Sequence, residues 1–247
     1  GVFKPISDMP EDLRGHIRYP ENLFTIQMTI YQRYHQTNPT MFYNNSDLWA
    51  VPRRGQPVRA DEEPELMEPY YVIMKLPNGT REELIMMTPF IRAGKTNMVS
   101  WMCAKCDSPD YGRLVLYQFP RDKNIFGPQQ IAARARQDTV ISQQITLWSQ
   151  QGSEVGSGNL MVIPVENSLM YVMPVYLSST DTRIPELKRV IVALGDQVSM
   201  EPSIDQALAA VMDVPTEALG AATPSAPAAT PAIPAAPAVP TPATPPA

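Results

Sequence analysis

The chain is short of the residues that most often carry chemistry. Of 247 residues, two are cysteine (Cys103 and Cys106) and two are histidine (His16 and His35). No second Cys-x-x-Cys pair exists to complete a four-ligand zinc site. Neither histidine lies near a Gly-x-Ser-x-Gly elbow, and Gly156-Ser157-Gly158 reads as a mobile connection. Basic runs are missing too. Adjacent Lys/Arg residues occur only as the pairs Arg53-Arg54 and Lys188-Arg189, and the net charge is −5. A sequence-independent grip on nucleic acid needs a basic stripe, so no nucleic-acid partner is expected. No apolar run approaches the ~20 residues of a spanning helix. The longest, Leu160–Val165 and Leu169–Leu177, carry Pro164 and Pro174 and read as strands. No signal peptide is legible and the first residue is Gly1, so a processed or excised, soluble piece of a longer protein is expected.

What the chain does have is punctuation. From Pro215 to Ala247 there are 12 Ala and 10 Pro among 33 residues, with Glu217 the only charge. Such a segment cannot offset its chain entropy by burial, so residues 215–247 are expected to be a disordered tail. Pro20 opens a predicted helix that ends near His35, with Leu23, Ile26, Ile30, Tyr31 and Tyr34 on one face. Thr40–Val51 is aromatic and irregular, with Phe42, Tyr43 and Trp49 expected to pack on the main body. Tyr70–Leu76 and Glu83–Thr88 flank Asn78-Gly79, a strong hairpin signal. Arg113–Phe119 is a further predicted strand. Gly127-Pro128 opens a helical region to Gln151, broken at Asp138, which can cap its second half. Two apolar strands around Glu166-Asn167-Ser168 follow, then Lys188–Leu194, a Gly195-Asp196 turn, Gln197–Met200 and a helix capped by Ser203. Helices and strands come in blocks, which predicts an α+β fold with a mostly antiparallel sheet and packed helices. Residues 1–68 read as a helical, irregular segment packing on a domain over 69–214. No convincing internal repeat is visible.

Several constellations invite a chemical reading. Cys103-Ala104-Lys105-Cys106 could be a redox dithiol or, with His16 and His35, a composite zinc site. The stretch around it reads as loop rather than helix start, so incidental thiols or a local disulfide are the plainer expectation. No cofactor and no metal are expected. Asp107 with Asp110, and Glu154 with Glu166, are the carboxylate pairs that could serve glycoside hydrolysis. Acidic residues at turns are also common for local hydrogen bonding. The acidic run from Asp61 to Glu68 lacks the spacing of a calcium loop and reads as a solvated face. Seven Gln residues between Gln129 and Gln151 could meet sugar hydroxyls beside Trp148, or simply cover an exposed helix. Asn44-Asn45-Ser46 and Asn78-Gly79-Thr80 match glycosylation acceptors, Asn78 within the predicted hairpin turn, and both matches are coincidence if the chain is bacterial.

Many phrases fall in an order that resembles a known family. They include Met9-Pro10-Glu11-Asp12-Leu13-Arg14, Arg18-Tyr19-Pro20-Glu21-Asn22-Leu23-Phe24, Leu48-Trp49-Ala50-Val51-Pro52, Glu68-Pro69-Tyr70-Tyr71 and Met98-Val99-Ser100-Trp101-Met102. Further along come Tyr117-Gln118-Phe119-Pro120, Ile141-Ser142-Gln143-Gln144, Glu166-Asn167-Ser168-Leu169 and Pro185-Glu186-Leu187-Lys188-Arg189-Val190-Ile191-Val192. From about Asp8 to Val211 the chain resembles uncharacterised protein family 0182, large bacterial multi-pass membrane proteins. The resemblance implies several amino-terminal transmembrane helices in the parent, absent here, and a large extracytoplasmic part of which this is the carboxy-terminal portion. It implies attachment to the cell membrane through the parent and an envelope protein or polymer as partner. It offers no catalytic residues to carry over. The leading expectation is a non-catalytic interaction or structural module, and the alternative is an envelope hydrolase using paired carboxylates.

Overall fold

The computed structural model of the chain describes residues 3–54, 65–77, 79–150, 153–165, 168–179 and 184–215. The Pro/Ala-rich stretch beyond 215, Asn78, Gln151, Asp61–Glu63 and Glu166-Asn167 lie outside the described residues. Within them the architecture is α+β, with two antiparallel sheets accompanied by helices.

The amino-terminal part carries a 3-10 turn at Ile6–Asp8 and three helices: α1 (Glu11–Arg14), α2 (Glu21–Tyr34) and α3 (Pro39–Asn44). The first sheet follows, from β1 (Trp49–Ala50), β2 (Tyr70–Lys75), β3 (Glu82–Arg92), β4 (Met98–Lys105) and β5 (Leu114–Gln118). Helices α4 (Pro128–Gln137) and α5 (Thr139–Trp148) lead into the second sheet. Its strands are β6 (Ser153–Ser157), β7 (Met161–Val165), β8 (Ser168–Ser179), β9 (Pro185–Leu194) and β10 (Gln197–Glu201). Helix α6 (Ile204–Met212) closes the order.

The two sheets share one topology. In the first, β3 pairs on one side with β4, and β4 with β5; its other side is covered in tandem by β2 and then β1. In the second, β8 pairs on one side with β9, and β9 with β10; β7 and then β6 cover the other side in tandem. The long strands even bend at matching points. Pro89 precedes the register shift between Phe90 and Ile91, and Pro174 precedes that between Val175 and Tyr176. A proline within a sheet is accommodated next to a bulge, where the ladder is already interrupted. A repeat that the sequence does not display is thus present in the pairing pattern.

Hydrophobic burial joins the halves. Ile91 and Met98 of the first sheet, Ile131, Ala135 and Ile141 of α4 and α5, and Val162, Tyr171 and Ile191 of the second form one apolar cluster. The Tyr70 hydroxyl crosses between the sheets, donating to the Val162 carbonyl at 2.8 Å and accepting from the Val162 amide at 2.9 Å. On the other face of the first sheet, Phe24 and Met28 of α2 pack with Trp49, Met86, Phe90 and Met102. Asp138 ends α4 and starts α5, its carboxylate accepting from the amides of Val140 (2.9 Å) and Ile141 (3.0 Å), as its position between the halves predicted. Ser203 caps α6 in the same way through the Gln206 amide at 3.3 Å.

Three expectations change. The α2 face built from Leu23, Ile26, Ile30 and Tyr34 is solvent-exposed, at 44%, 58%, 53% and 67%. Phe24, fully buried, and Met28 face the sheet instead, with Tyr31 half-buried beside them. The helix has two apolar stripes roughly 120° apart at 3.6 residues per turn; the sheet selects the one carrying Phe24. Tyr43 is 84% exposed rather than packed, while Trp49 is buried and Pro39–Asn44 forms a short helix capped by the Asn38 side chain. Gly156-Ser157 belongs to strand β6, paired with Tyr176 and Val175, and is not a loop. Gly158 follows where a side chain would not fit, since a Cβ there would sit 2.7 Å from Pro174 Cγ.

Candidate functional site

The cysteine pair is separated by the sheet that carries it. Successive strand residues point to opposite faces, so positions three apart diverge. Cys103, on β4, sits with Met74, Ile85, Met87 and Trp101 on one face. Cys106, just past its end, sits with Tyr19, Met86 and Met102 on the other. Both are buried free thiols, and burial pushes Cys103 up to about 12 and Cys106 upward as well. These are the surroundings of inert structural thiols rather than of a reactive thiolate. The histidines do not join them. His16 is exposed, and His35, at the carboxy-terminal cap of α2, stacks on the Trp49 ring with centroids 3.7 Å apart. Among the described residues no group of three or more His, Cys, Asp or Glu gathers as for a metal ion.

The carboxylates near β4 are engaged with their neighbours. Asp107 accepts a hydrogen bond from the Leu84 amide at 2.8 Å, fastening the loop after β4 to β3. Asp110 receives Lys105 Nζ at 3.1 Å and Arg113 at 3.6 Å, and Lys105 also reaches Glu83 at 2.8 Å. The hydrogen bond from Lys105 holds the Asp110 carboxyl below its ordinary range. A general acid needs its pKa raised instead, so Asp110 is set for the opposite state. Glu154 lies exposed on β6, and its suggested companion Glu166 is outside the described residues. Of the acidic run, Glu65 and Glu68 pair with Arg54 at 3.6 and 2.7 Å, and both are exposed.

A different cluster, not singled out by the sequence, lies at one end of the first sheet. A cleft of about 320 Å³ is lined by Asp47, by Arg92 and Lys95 at the β3–β4 turn, and by Arg121 and Lys123 in the loop after β5. Asp47 is buried, and its carboxylate takes Arg92 at 2.9 and 3.1 Å and Arg121 at 3.5 Å, with His35 Nε2 at 3.9 Å. Lys95 and Lys123 have no ion-pair partner among the described residues. Beside this cleft runs a second, of about 450 Å³, whose walls include Trp101, Tyr117, Phe119, Phe126 and Tyr171. Trp101 and Tyr117 stack there with centroids 4.2 Å apart. The two clefts share Gln118, Phe119, Pro120, Lys123 and Asn124. The available signal was a pair of short basic turns, Arg92-Ala93-Gly94-Lys95 and Arg121-Asp122-Lys123. They converge only once β4 and β5 pair.

The exposed stripe of α2 is the other surface feature. Leu23, Ile26, Ile30 and Tyr34 recur at three- and four-residue spacing, so their side chains stand in line. Phe3, Ile6, Leu13 and Tyr43 are exposed in the same amino-terminal part. Scattered exposed apolar residues are ordinary; an aligned row on one helix is a less common surface feature. No described helix is long and apolar enough to cross a membrane.

Comparison with known proteins fixes the family. The model of the Uncharacterised protein family (UPF0182) matches residues 1–148. A UPF0182 protein of Pelobacter propionicus is 52% identical over 208 residues, covering 84% of this chain and 22% of its own length. One from Desulforamulus reducens is 49% identical over 208 residues, with the same coverage of 84% and 22%. The UPF0182 protein GM21_2279 of Geobacter sp. is 50% identical over 230 residues, 92% of this chain and 25% of that protein. The chain thus spans only a minor part of the relatives' length, and no solved structure matches it. With matches of this extent and identity, the chain belongs to the uncharacterised protein family UPF0182.

Proposed function

We propose that this chain is a non-catalytic interaction module on the extracytoplasmic side of a bacterial integral membrane protein. It docks onto the remainder of its own parent polypeptide through α2. The observation that carries the reading is the exposed row Leu23, Ile26, Ile30 and Tyr34. The occupant is argued from length. Matches cover 22% to 25% of the relatives, so most of a full-length chain remains to pack somewhere. The membrane location is supported by the family resemblance, and attachment would come from parts of the parent outside this chain. The engagement of Asp107 and Asp110 gives the hydrolase alternative no support from that pair.

The test uses the full-length parent, tagged after Ala247, in intact cells. A membrane-bound product whose tag is cleaved by external protease is the expected result. The double substitution Ile26→Glu with Ile30→Glu should then loosen the parent, opening new protease sites, while the isolated chain stays folded and monomeric. A freely soluble, protease-protected parent would overturn the location. An isolated chain that dimerises until the two glutamates disperse it would show a second copy to be the occupant and overturn the docking assignment.

A further inference from the structure

We propose that the cleft between the β3–β4 turn and the loop after β5 binds a phosphoryl group. This does not depend on the α2 docking surface. Four cations, Arg92, Lys95, Arg121 and Lys123, line the cleft against the single anion Asp47, in a chain whose net charge is −5. They come from separate loops, so sequence proximity alone does not gather them. Asp122, in the same loop, does not line the cleft. Lining residues therefore leave an excess of three positive charges. A carboxylate ligand would offset one; a phosphate monoester carries about −1.5 to −2 at neutral pH and matches better.

The donors suit the same group. Asp47 grips Arg92 through Nε and one terminal nitrogen, which orients the guanidinium and leaves its other terminal nitrogen for a ligand. A planar guanidinium fork matches phosphate oxygens. Asn97 donates its amide to Asn124 Oδ1 and to the Ile125 carbonyl, leaving the Asn124 amide nitrogen as a donor at the rim. Lys95 and Lys123 are exposed, so they add charge without a desolvation cost. The aromatic cleft alongside offers room for an apolar or ring-bearing portion. The ligand class is thus a phosphate ester with an apolar part, either an anionic lipid headgroup or a soluble phosphoester.

Two probes separate these sources, both phosphate monoesters: glycerol phosphate in solution, and vesicles containing phosphatidic acid against vesicles of phosphatidylcholine alone. The chain should bind at least one of the phosphorylated anionic probes, more weakly as salt rises, and ignore phosphatidylcholine. Lys95→Gln with Lys123→Gln should weaken binding roughly thirtyfold, from about 1 kcal/mol per cation near an anionic surface. Lys75→Gln with Lys188→Gln removes the same charge elsewhere and should change it little. Binding of glycerol phosphate assigns a soluble ester; binding of vesicles alone assigns a headgroup. No binding of either probe, or equal losses in the two double variants, would overturn the proposal. Both pairs are exposed lysines, so unchanged thermal unfolding of the variants is expected and separates loss of binding from loss of fold.

Discussion

Replacing Tyr70 with phenylalanine removes one oxygen and tests whether the two sheets fold as one unit. The ring remains, so the apolar contacts that Tyr70 makes to the two clusters of the first sheet survive. What is lost is the hydroxyl that donates to the Val162 carbonyl at 2.8 Å and accepts from its amide at 2.9 Å. Val162 is fully buried, so its amide and carbonyl have no ready access to water once the hydroxyl is gone. A buried polar group left unsatisfied costs about 1–3 kcal/mol, and two are orphaned together. Local relaxation returns part of this, which gives an expected destabilisation of about 2–4 kcal/mol. Urea unfolding followed by tryptophan fluorescence and by far-UV circular dichroism measures it. The wild-type transitions should coincide, and Tyr70→Phe should lower the midpoint in both. If the contact is what couples the sheets, the variant's two probes should separate in a Trp148→Phe background, because Trp148 lies against Arg189 of the second sheet and the remaining Trp49 and Trp101 both report from the first. A loss under 1 kcal/mol with coincident transitions would refute the reasoning, showing that the shared apolar cluster alone does the coupling.

The remaining expectations concern the core and the caps. Cys103 should resist iodoacetamide at pH 8 in the folded chain and react once the chain is unfolded, as mass spectrometry would show. Its thiol keeps its proton to about 12 in the fold, against 9.0 ordinarily. Above pH 9 the unfolded chain therefore releases that proton first, and stability should fall with rising pH by up to about 1.4 kcal/mol per unit until pH 12. Burial also pushes the Tyr70 and Tyr171 phenols up, which adds to the alkaline loss, so a melting series from pH 8 to 11 should be nearly level up to pH 9 and slope downward above it. Asp138→Ala removes the cap of α5 and should cost about 1 kcal/mol, read as a shift of the denaturation midpoint at constant slope. Phe24→Ala should cost about 3–5 kcal/mol, whereas Ile26→Glu should stay within about 0.5 kcal/mol in the isolated chain; the contrast distinguishes the covered stripe of α2 from the bare one.

Local signals were legible where they depended on a few residues. Asp138 between two helical halves, Ser203 before α6 and the alternation from Leu114 to Phe119 each appear in the structure as their chemistry predicts. Strand β4 carries no such local signal. Met98–Lys105 is buried on both faces at the middle of its sheet, so it has no polar alternation, and the Cys-x-x-Cys spacing drew a chemical reading in its place. The cationic cleft was invisible for a related reason. Its members are spread from Asp47 to Asn124, and only strand pairing makes them neighbours.

The misread stripe and the concealed repeat have one origin. Periodicity tells which residues could share a face, but not which face the rest of the molecule will take. On α2 both stripes are apolar, and the choice went to the one whose Phe24 fills the space beside Met86, Phe90 and Met102. In the sheets, the same arrangement of strands is built by Leu84-Ile85-Met86-Met87-Thr88-Pro89 and by Leu169-Met170-Tyr171-Val172-Met173-Pro174. These agree at the leucine and proline five residues apart, and hardly elsewhere. Any apolar residue of suitable volume serves between those points, because a buried strand asks for bulk and branching rather than identity. A proline beside a bulge is a stricter demand, since it must sit where the ladder is already broken. The shared topology is therefore marked in the sequence by its breaks. The exposed row on α2 has four members, whereas on α6, the helix that follows the second sheet, Ala207, Ala209 and Val211 are buried and only Ile204 and Met212, at its two ends, are exposed large apolar residues. Of these two helices, α2 therefore presents the longer bare apolar row.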